Sequence, residues 1–182
     1  MNHITNTDGH LVGNNTDGAG FVRGLLADAG VGLSGARVGV AGAGGAARAI
    51  VAGCADAGAD VVIVARNPDR AQAATAVAPT QAVVGAASDL SECAVVVNAT
   101  PIGMRGVETD STVPFDVDTL ANDAVVVDIV YDPLETELLR RARERGLTAI
   151  DGLSMLVGQA AEQFTAWTGV DAPYEVMREA VR

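Results

Sequence analysis

The run Val40-Ala41-Gly42-Ala43-Gly44-Gly45-Ala46-Ala47-Arg48 leads from an apolar stretch into an alanine-rich one. Its glycines and small residues could hold an anion. Gly42, Gly44 and Ala47 stand at the G-x-G-x-x-A positions of a phosphate-binding turn, with Gly45 and Ala46 between them. Glycine at 42 permits the tight turn, and glycine at 44 leaves room for a phosphate to approach the backbone. Alanine at 47 keeps the following helix close to a sheet. That helix start offers free N–H groups and the positive end of a dipole. Such turns also occur as plain punctuation in chains rich in Gly and Ala, so the surrounding pattern must decide.

A second group follows the next apolar run: Ala65-Arg66-Asn67-Pro68-Asp69-Arg70. NAD sites usually place an acidic residue here for the ribose hydroxyls. Arg66 and Arg70 instead offer guanidinium forks suited to a 2′-phosphate. Solvated arginines at a helix start are the plainer alternative, but cations there oppose the helix dipole. The pattern therefore favours a dinucleotide, and NADP over NAD.

The elements that must position these residues alternate. Val38–Ala41, Val61–Ala65, Ala82–Val84, Ala94–Asn98, Ala124–Val130 and Leu147–Ile150 read as short, continuously apolar strands. Helices are expected from Asp17 or Thr16, either of which could cap the first, and over Gly44–Ala57, Pro68–Val77, Glu135–Arg145 and Leu153–Trp167. Continuous apolar strands alternating with helices predict a parallel sheet covered on both faces. The expected class is α/β, a doubly wound Rossmann-type sheet of about six strands. Met1 to Gly18, polar and glycine-containing, reads as a loop or frayed hairpin. Within the last long helix, Leu153, Leu156, Val157, Ala160, Phe164 and Trp167 are expected to form the apolar face, with Met155, Gln159 and Gln163 on another.

Composition narrows the partners. The net charge of −11 leaves no basic patch for nucleic acid. The polar start has no signal-peptide core and the apolar runs are too short to span a bilayer, so no membrane partner is expected. Cys54 and Cys93 lack metal-type spacing; a reduced, cytoplasmic protein without a metal site is the simple reading, with Cys54 in the core. His3 and His10 are expected in solvent. All twelve basic residues are arginine, so no lysine in this chain can move a proton.

Five separated segments resemble the shikimate dehydrogenase family. Asn14-Asn15-Thr16-Asp17-Gly18 is similar to its D-N-T-D-G, with Asn14 in place of the first Asp. Gly42 to Ala47 resembles its G-A-G-G-A-x loop, and Asn98-Ala99-Thr100-Pro101-Ile102-Gly103-Met104 its N-A-T-P-x-G-M. Asp128 to Pro133 and Gly152 to Gln159 complete the set. Asn2 falls about where the family has the Asn of an A-x-N-T segment, with His3 replacing Thr.

The resemblance implies hydride transfer between NADP and shikimate or 3-dehydroshikimate. It implies a role for Asp17 beside a family lysine that is missing here, a cap role being the alternative. It implies substrate contacts from Asp17, Tyr131 and Gln159. Cofactor contacts are implied for Gly42, Gly44, Gly45, Ala46, Ala47, Arg66, Asn67, Arg70, Asn98, Ala99, Thr100, Ile129, Gly152 and Met155. The expected division is a leader over 1–18, matching the end of a substrate domain that the chain lacks, and an NADP-binding domain over 19–182 that includes the hinge and C-terminal helices. Activity is then weak or absent unless a substrate domain is supplied. A non-catalytic NADP-binding module and a quinate dehydrogenase-like half-enzyme are the alternatives. Apolar faces around Phe21–Leu26 and Leu153–Trp167, lacking the absent domain, are expected to favour a homodimer.

Overall fold

A computed structural model describes residues 1–108 and 112–181. The chain opens with an antiparallel hairpin, β1 (His3–Thr7) and β2 (His10–Asn14). Asp8 and Gly9 form its turn, both with positive φ, as a two-residue hairpin turn demands. Helix α1 (Asp17–Ala29) follows, then β3 (Arg37–Ala41), α2 (Gly45–Asp56), β4 (Asp60–Val64), α3 (Pro68–Thr75), β5 (Ala82–Val84) and β6 (Val95–Asn98). The second half holds β7 (Val125–Asp128), α4 (Glu137–Glu144), β8 (Thr148–Ile150), α5 (Leu153–Thr168) and α6 (Tyr174–Ala180).

Six strands form one parallel sheet in the order β5-β4-β3-β6-β7-β8. The order reverses between β3 and β6, where the exits of Ala41 and Asn98 lie side by side in register. Ligand crevices of doubly wound folds open at such a reversal, beyond the carboxyl ends of the strands. The chain is a Rossmann-type α/β fold. Most valines and isoleucines of the six strands are buried, those of the edge strand β5 excepted, and two apolar clusters cover the two faces of the sheet. Cys54 lies in one of them.

Helix α5 departs from its expected face. Its buried residues are Leu153, Ser154, Met155, Val157, Gly158 and Ala161, while Phe164 and Trp167 are exposed and Leu156 and Ala160 only half-buried. The reason is backbone contact with α1. A side chain at Gly20 would strike the backbone of Gly158 and Gln159, and one at Gly158 would strike Gly20 in return. Small residues thus set the packed face, and the large apolar ones turn outward. The same contact buries part of the two apolar faces named for a homodimer and leaves part of them exposed. Phe21 and Leu25 of α1 and Leu153 and Val157 of α5 are buried within the chain; of the two helix faces, Leu26, Phe164 and Trp167 are what remains outside.

Two further expectations change. Thr16 occupies the N-cap position of α1, yet neither it nor Asp17 caps the helix through its side chain. His3 is not solvated: it is 5% exposed and meets the ring of Trp167, on α5, edge-on at 5.4 Å. Helix α6, which the sequence pattern does not single out, is held by Arg178. Its guanidinium bonds Asp28 of α1 at 3.1 Å and Asp151, before α5, at 2.8 Å. Among the described residues no helix is long and apolar enough to cross a membrane, and no cluster of His, Cys, Asp or Glu could hold a metal.

Candidate functional site

At the phosphate loop the sequence dictates a turn that few residues tolerate. Gly42 has φ +125°, and a Cβ there would lie 2.6 Å from the Ala99 carbonyl oxygen. Its N–H donates to Val64 O at 2.8 Å, and the Ala99 N–H donates to Ala41 O at 2.8 Å. The loops leaving β3, β4 and β6 are thus drawn together at the reversal. Gly44 and Gly45 have open space where a side chain would stand. No side chain caps α2, so its first-turn N–H groups lack intrahelical partners and face outward for an anion. Ala47 is fully buried against the sheet.

Beyond β4, Arg66 and Arg70 are exposed, and neither side chain has a hydrogen-bond or ion-pair partner among the described residues. Asn67 lies between them as the N-cap of α3, its Oδ1 accepting from the Arg70 N–H at 2.9 Å. Arg66 therefore precedes the helix and Arg70 belongs to its first turn.

The turn after β6 is built in the opposite manner. Asn98 is fully buried and uses its whole amide. Its Nδ2 donates to Ile102 O at 3.0 Å and to Asp128 Oδ1 at 2.9 Å. Its Oδ1 accepts from the Thr100 N–H at 3.0 Å and the Thr100 hydroxyl at 2.6 Å. Asp128 stands opposite Asn98 in the β6–β7 register and is equally buried. It also accepts from the Val130 N–H at 3.0 Å and the Thr136 hydroxyl at 2.7 Å. Burial pushes its carboxyl above the usual carboxylate range, with the bonds from Thr136, Val130 and Asn98 pulling back. Beside it, Gly152 is pressed against the carbonyls of Ile129 and Val130, and Asp151 Oδ1 accepts from the Leu153 N–H at 3.0 Å to start α5.

A polar cluster lies at the other end of α1. Asn2 Nδ2 donates to Asp17 Oδ1 at 2.7 Å and to Gln159 Oε1 at 3.1 Å. Asn2 Oδ1 accepts from the Thr16 N–H at 2.9 Å. Gln163 Nε2 donates to Gln159 Oε1 at 2.8 Å, and Asn15 Nδ2 donates to Asp17 Oδ2 at 3.2 Å. Because α1 lies against both α2 and α5, Asp17 shares one groove of about 660 Å³ with Gly45, Ala46 and Arg48.

Residues 37–131 match the family model described as NADP oxidoreductase coenzyme F420-dependent, and residues 152–182 match Shikimate 5'-dehydrogenase C-terminal domain. The first covers more than half of the chain, so β3 through the exit of β7 belongs with the NADP oxidoreductases that model describes; the second begins at α5. Relatives along nearly the whole chain decide between the two. The NADP(+) shikimate dehydrogenase of Symbiobacterium thermophilum is 43% identical over 99% of this chain and 65% of its own length. The chain belongs to the shikimate dehydrogenase family. It spans 62–66% of the length of the curated shikimate dehydrogenases it matches. Among solved structures, the Thermus thermophilus shikimate 5-dehydrogenase in complex with NADP(H) and shikimate superposes with a TM-score of 0.84 at 36% identity, covering 98% of this chain and 66% of that one. A quinate dehydrogenase from Corynebacterium glutamicum in complex with NAD gives 0.83 at 34%, covering 97% and 65%.

Set on this shikimate dehydrogenase fold, the residues singled out by sequence fall into three places. Gly42 to Ala47, with Arg66, Asn67 and Arg70, line the exits of β3 and β4. Asn98, Ala99, Thr100, Ile129, Gly152 and the buried Met155 surround the exits of β6 and β7. Asp17 and Gln159, far apart in sequence, meet through Asn2. Tyr131 is exposed at the exit of β7 and takes no part in the hydrogen bonds of that cluster. Sequence reasoning placed Asn2 only as a landmark and did not weigh Asn15, Gln163 or Arg48. Asp128 entered it only as the first residue of the Asp128 to Pro133 segment, without a role, and Thr136 did not enter it.

Proposed function

We propose that this chain is the NADP-binding part of a shikimate dehydrogenase-type oxidoreductase, with residues 19–182 as the cofactor domain and residues 1–18 on the substrate side. One observation carries the reading: a single groove joins the open phosphate loop to Asp17, which Asn2 links to Gln159. The residues fit the cofactor. The first turn of α2 has free N–H groups and no side chains over Gly44 and Gly45, as a pyrophosphate needs. The side chains of Arg66 and Arg70 have no partner among the described residues and suit a 2′-phosphate. When bound, NADP supplies the hydride acceptor for oxidation of an alcohol, or the donor for reduction of a ketone.

The chain's own groups bind and orient. Asn98, through its turn, with Ala99, Thr100, Ile129, Gly152 and Met155, shapes the nicotinamide side. Asp17, Gln159 and Asn2, joined by Tyr131, present hydrogen-bonding groups to the hydroxyls of a shikimate-type substrate. Protonating the substrate oxygen needs an acid near neutral pH, a task for which carboxylic acids are poorly suited as a class and which no lysine here can perform. These 182 residues therefore bind NADP but reduce 3-dehydroshikimate weakly or not at all, until a substrate domain with a proton donor is supplied. The lack of lysine equally favours a non-catalytic NADP-binding role for the isolated chain. A cytoplasmic location fits this reading.

Calorimetric titration with NADP and NAD in parallel tests it, followed by a 3-dehydroshikimate reduction assay with and without a relative's substrate domain. NADP preference, with activity only on reconstitution, is expected. Failure to bind either nucleotide removes the reading; binding with no activity under any reconstitution leaves the non-catalytic role.

A further inference from the structure

Asp128 has no part in the function as stated, yet two chains of hydrogen bonds end on it. One starts in the turn after β6. The Ile102 N–H donates to Thr100 Oγ1 at 3.2 Å, and the Thr100 hydroxyl donates to Asn98 Oδ1. The Asn98 amide then donates to Asp128. The other starts at α4, where the Leu139 N–H donates to Thr136 Oγ1 at 3.3 Å and the Thr136 hydroxyl donates to Asp128 Oδ2. Every donor points toward the carboxylate, so each bond polarises the next.

The direction matters because an amide can be turned over. An ionised carboxylate only accepts. It therefore obliges Asn98 to present its NH₂ to β7 and its oxygen to the Thr100 N–H. If the acceptor became a donor, Asn98 would have reason to rotate, and its NH₂ would then face the Thr100 N–H and break the turn. A side chain at Gly103 would meet Thr136 at 3.4 Å, so the far end of the same turn lies close to the second chain. Among the described residues Asp128 meets only neutral donors: Asn98 from β6, Val130 beyond its own strand and Thr136 before α4. Burying a carboxylate without a cation is costly, so stability alone does not account for it.

We propose that Asp128 is a positioning residue: acting through Asn98, it fixes the amide orientation that shapes the 98–103 turn for the nicotinamide half of the cofactor. The inference rests on the NADP reading above. It assigns the phosphate and ribose contacts to other residues, so the two halves of the ligand should respond differently.

The test is the affinity of Asp128→Asn for NADP and for adenosine 2′,5′-bisphosphate, the latter carrying the adenosine half alone. Asp128→Asn should lose about tenfold in NADP affinity, while the bisphosphate stays within about twofold. Thr136→Val should weaken NADP binding by a smaller factor and Thr136→Ser should restore it, which keeps the test sound if Asp128→Asn folds poorly. Unchanged NADP affinity in folded variants, or equal loss of both ligands, overturns the proposal. Wild-type protein that binds neither ligand removes the NADP reading itself, and this inference with it.

Discussion

The two sides of the crevice are finished to different degrees. On the β6–β7 side, the polar groups of Asn98, Thr100, Asp128 and Thr136 bond to one another inside the protein. On the β3–β4 side, no side chain caps the first-turn N–H groups of α2, and the exposed guanidinium groups of Arg66 and Arg70 have no partner among the described residues. Buried polar groups must be satisfied internally, so the first side is shaped before any ligand arrives. Exposed cations and helix-start amides are satisfied by water until an anion displaces it. One side sets geometry and the other supplies attraction.

The most severe way to break this arrangement is at the point where the sides touch. Gly42→Val places a β-branched residue at φ +125° and drives its Cβ against Ala99. NADP affinity should fall by more than about a hundredfold, since strain of this kind costs about 1–3 kcal/mol and displaces the cradle besides; calorimetry on a variant of native circular dichroism checks it. Arg66→Ala sharpens the contrast next. One charged hydrogen-bonding group is worth about 1.5–3 kcal/mol, so NADP affinity should drop about ten- to a hundredfold while NAD affinity barely moves. Equal loss for both nucleotides would dissociate Arg66 from the 2′-phosphate.

Hydrogen exchange compares the two sides directly in unliganded protein. The Thr100, Ile102 and Val130 amides should exchange at least about tenfold more slowly than those of Gly45 and Ala46. Adding NADP should slow only the second group appreciably. The smallest effect concerns pH. The folded-state pKa of Asp128 is raised, so the native state holds this proton more tightly than the unfolded chain. Its contribution to stability is greatest when protonated and is lost as pH rises through the folded-state value. On acidification from neutrality toward about pH 5, the urea-unfolding stability of wild type should improve relative to Asp128→Asn. A difference that stays constant would mean the carboxyl titrates normally.

Most of the sheet and the phosphate loop were legible because their signals are local. An apolar run, a glycine turn and an alanine-rich helix follow one another within a few residues around Gly42. The Asn98–Asp128 bond was not legible, since it depends on which strand lies beside β6. A signal was present: β6 reads Val-Val-Val-Asn and β7 reads Val-Val-Val-Asp, two valine runs each closed by a buried polar residue. The burial of His3 escaped for a similar reason. Its neighbours in sequence are mostly polar, but the fold brings the Trp167 ring of α5 against it. The outward turn of Phe164 and Trp167 was misread because hydrophobicity alone ignores how closely Gly20 and Gly158 let two backbones approach. Asp17 and Gln159 were read from resemblance, and only the fold brings them together through Asn2.

The contact between Gly20 and Gly158 also bears on how the chain acquires its shape. All six strands of the sheet lie between these two helices in the sequence. Contacts of such long sequence separation form slowly. During synthesis Phe21 and Leu25 leave the ribosome well before α5, the helix that completes their cover. The small-residue joint that fixes Asp17 beside Gln159 is thus among the last to close. Until it does, the first helix is a hydrophobic surface in search of a partner, the kind that chaperones hold and that aggregation captures.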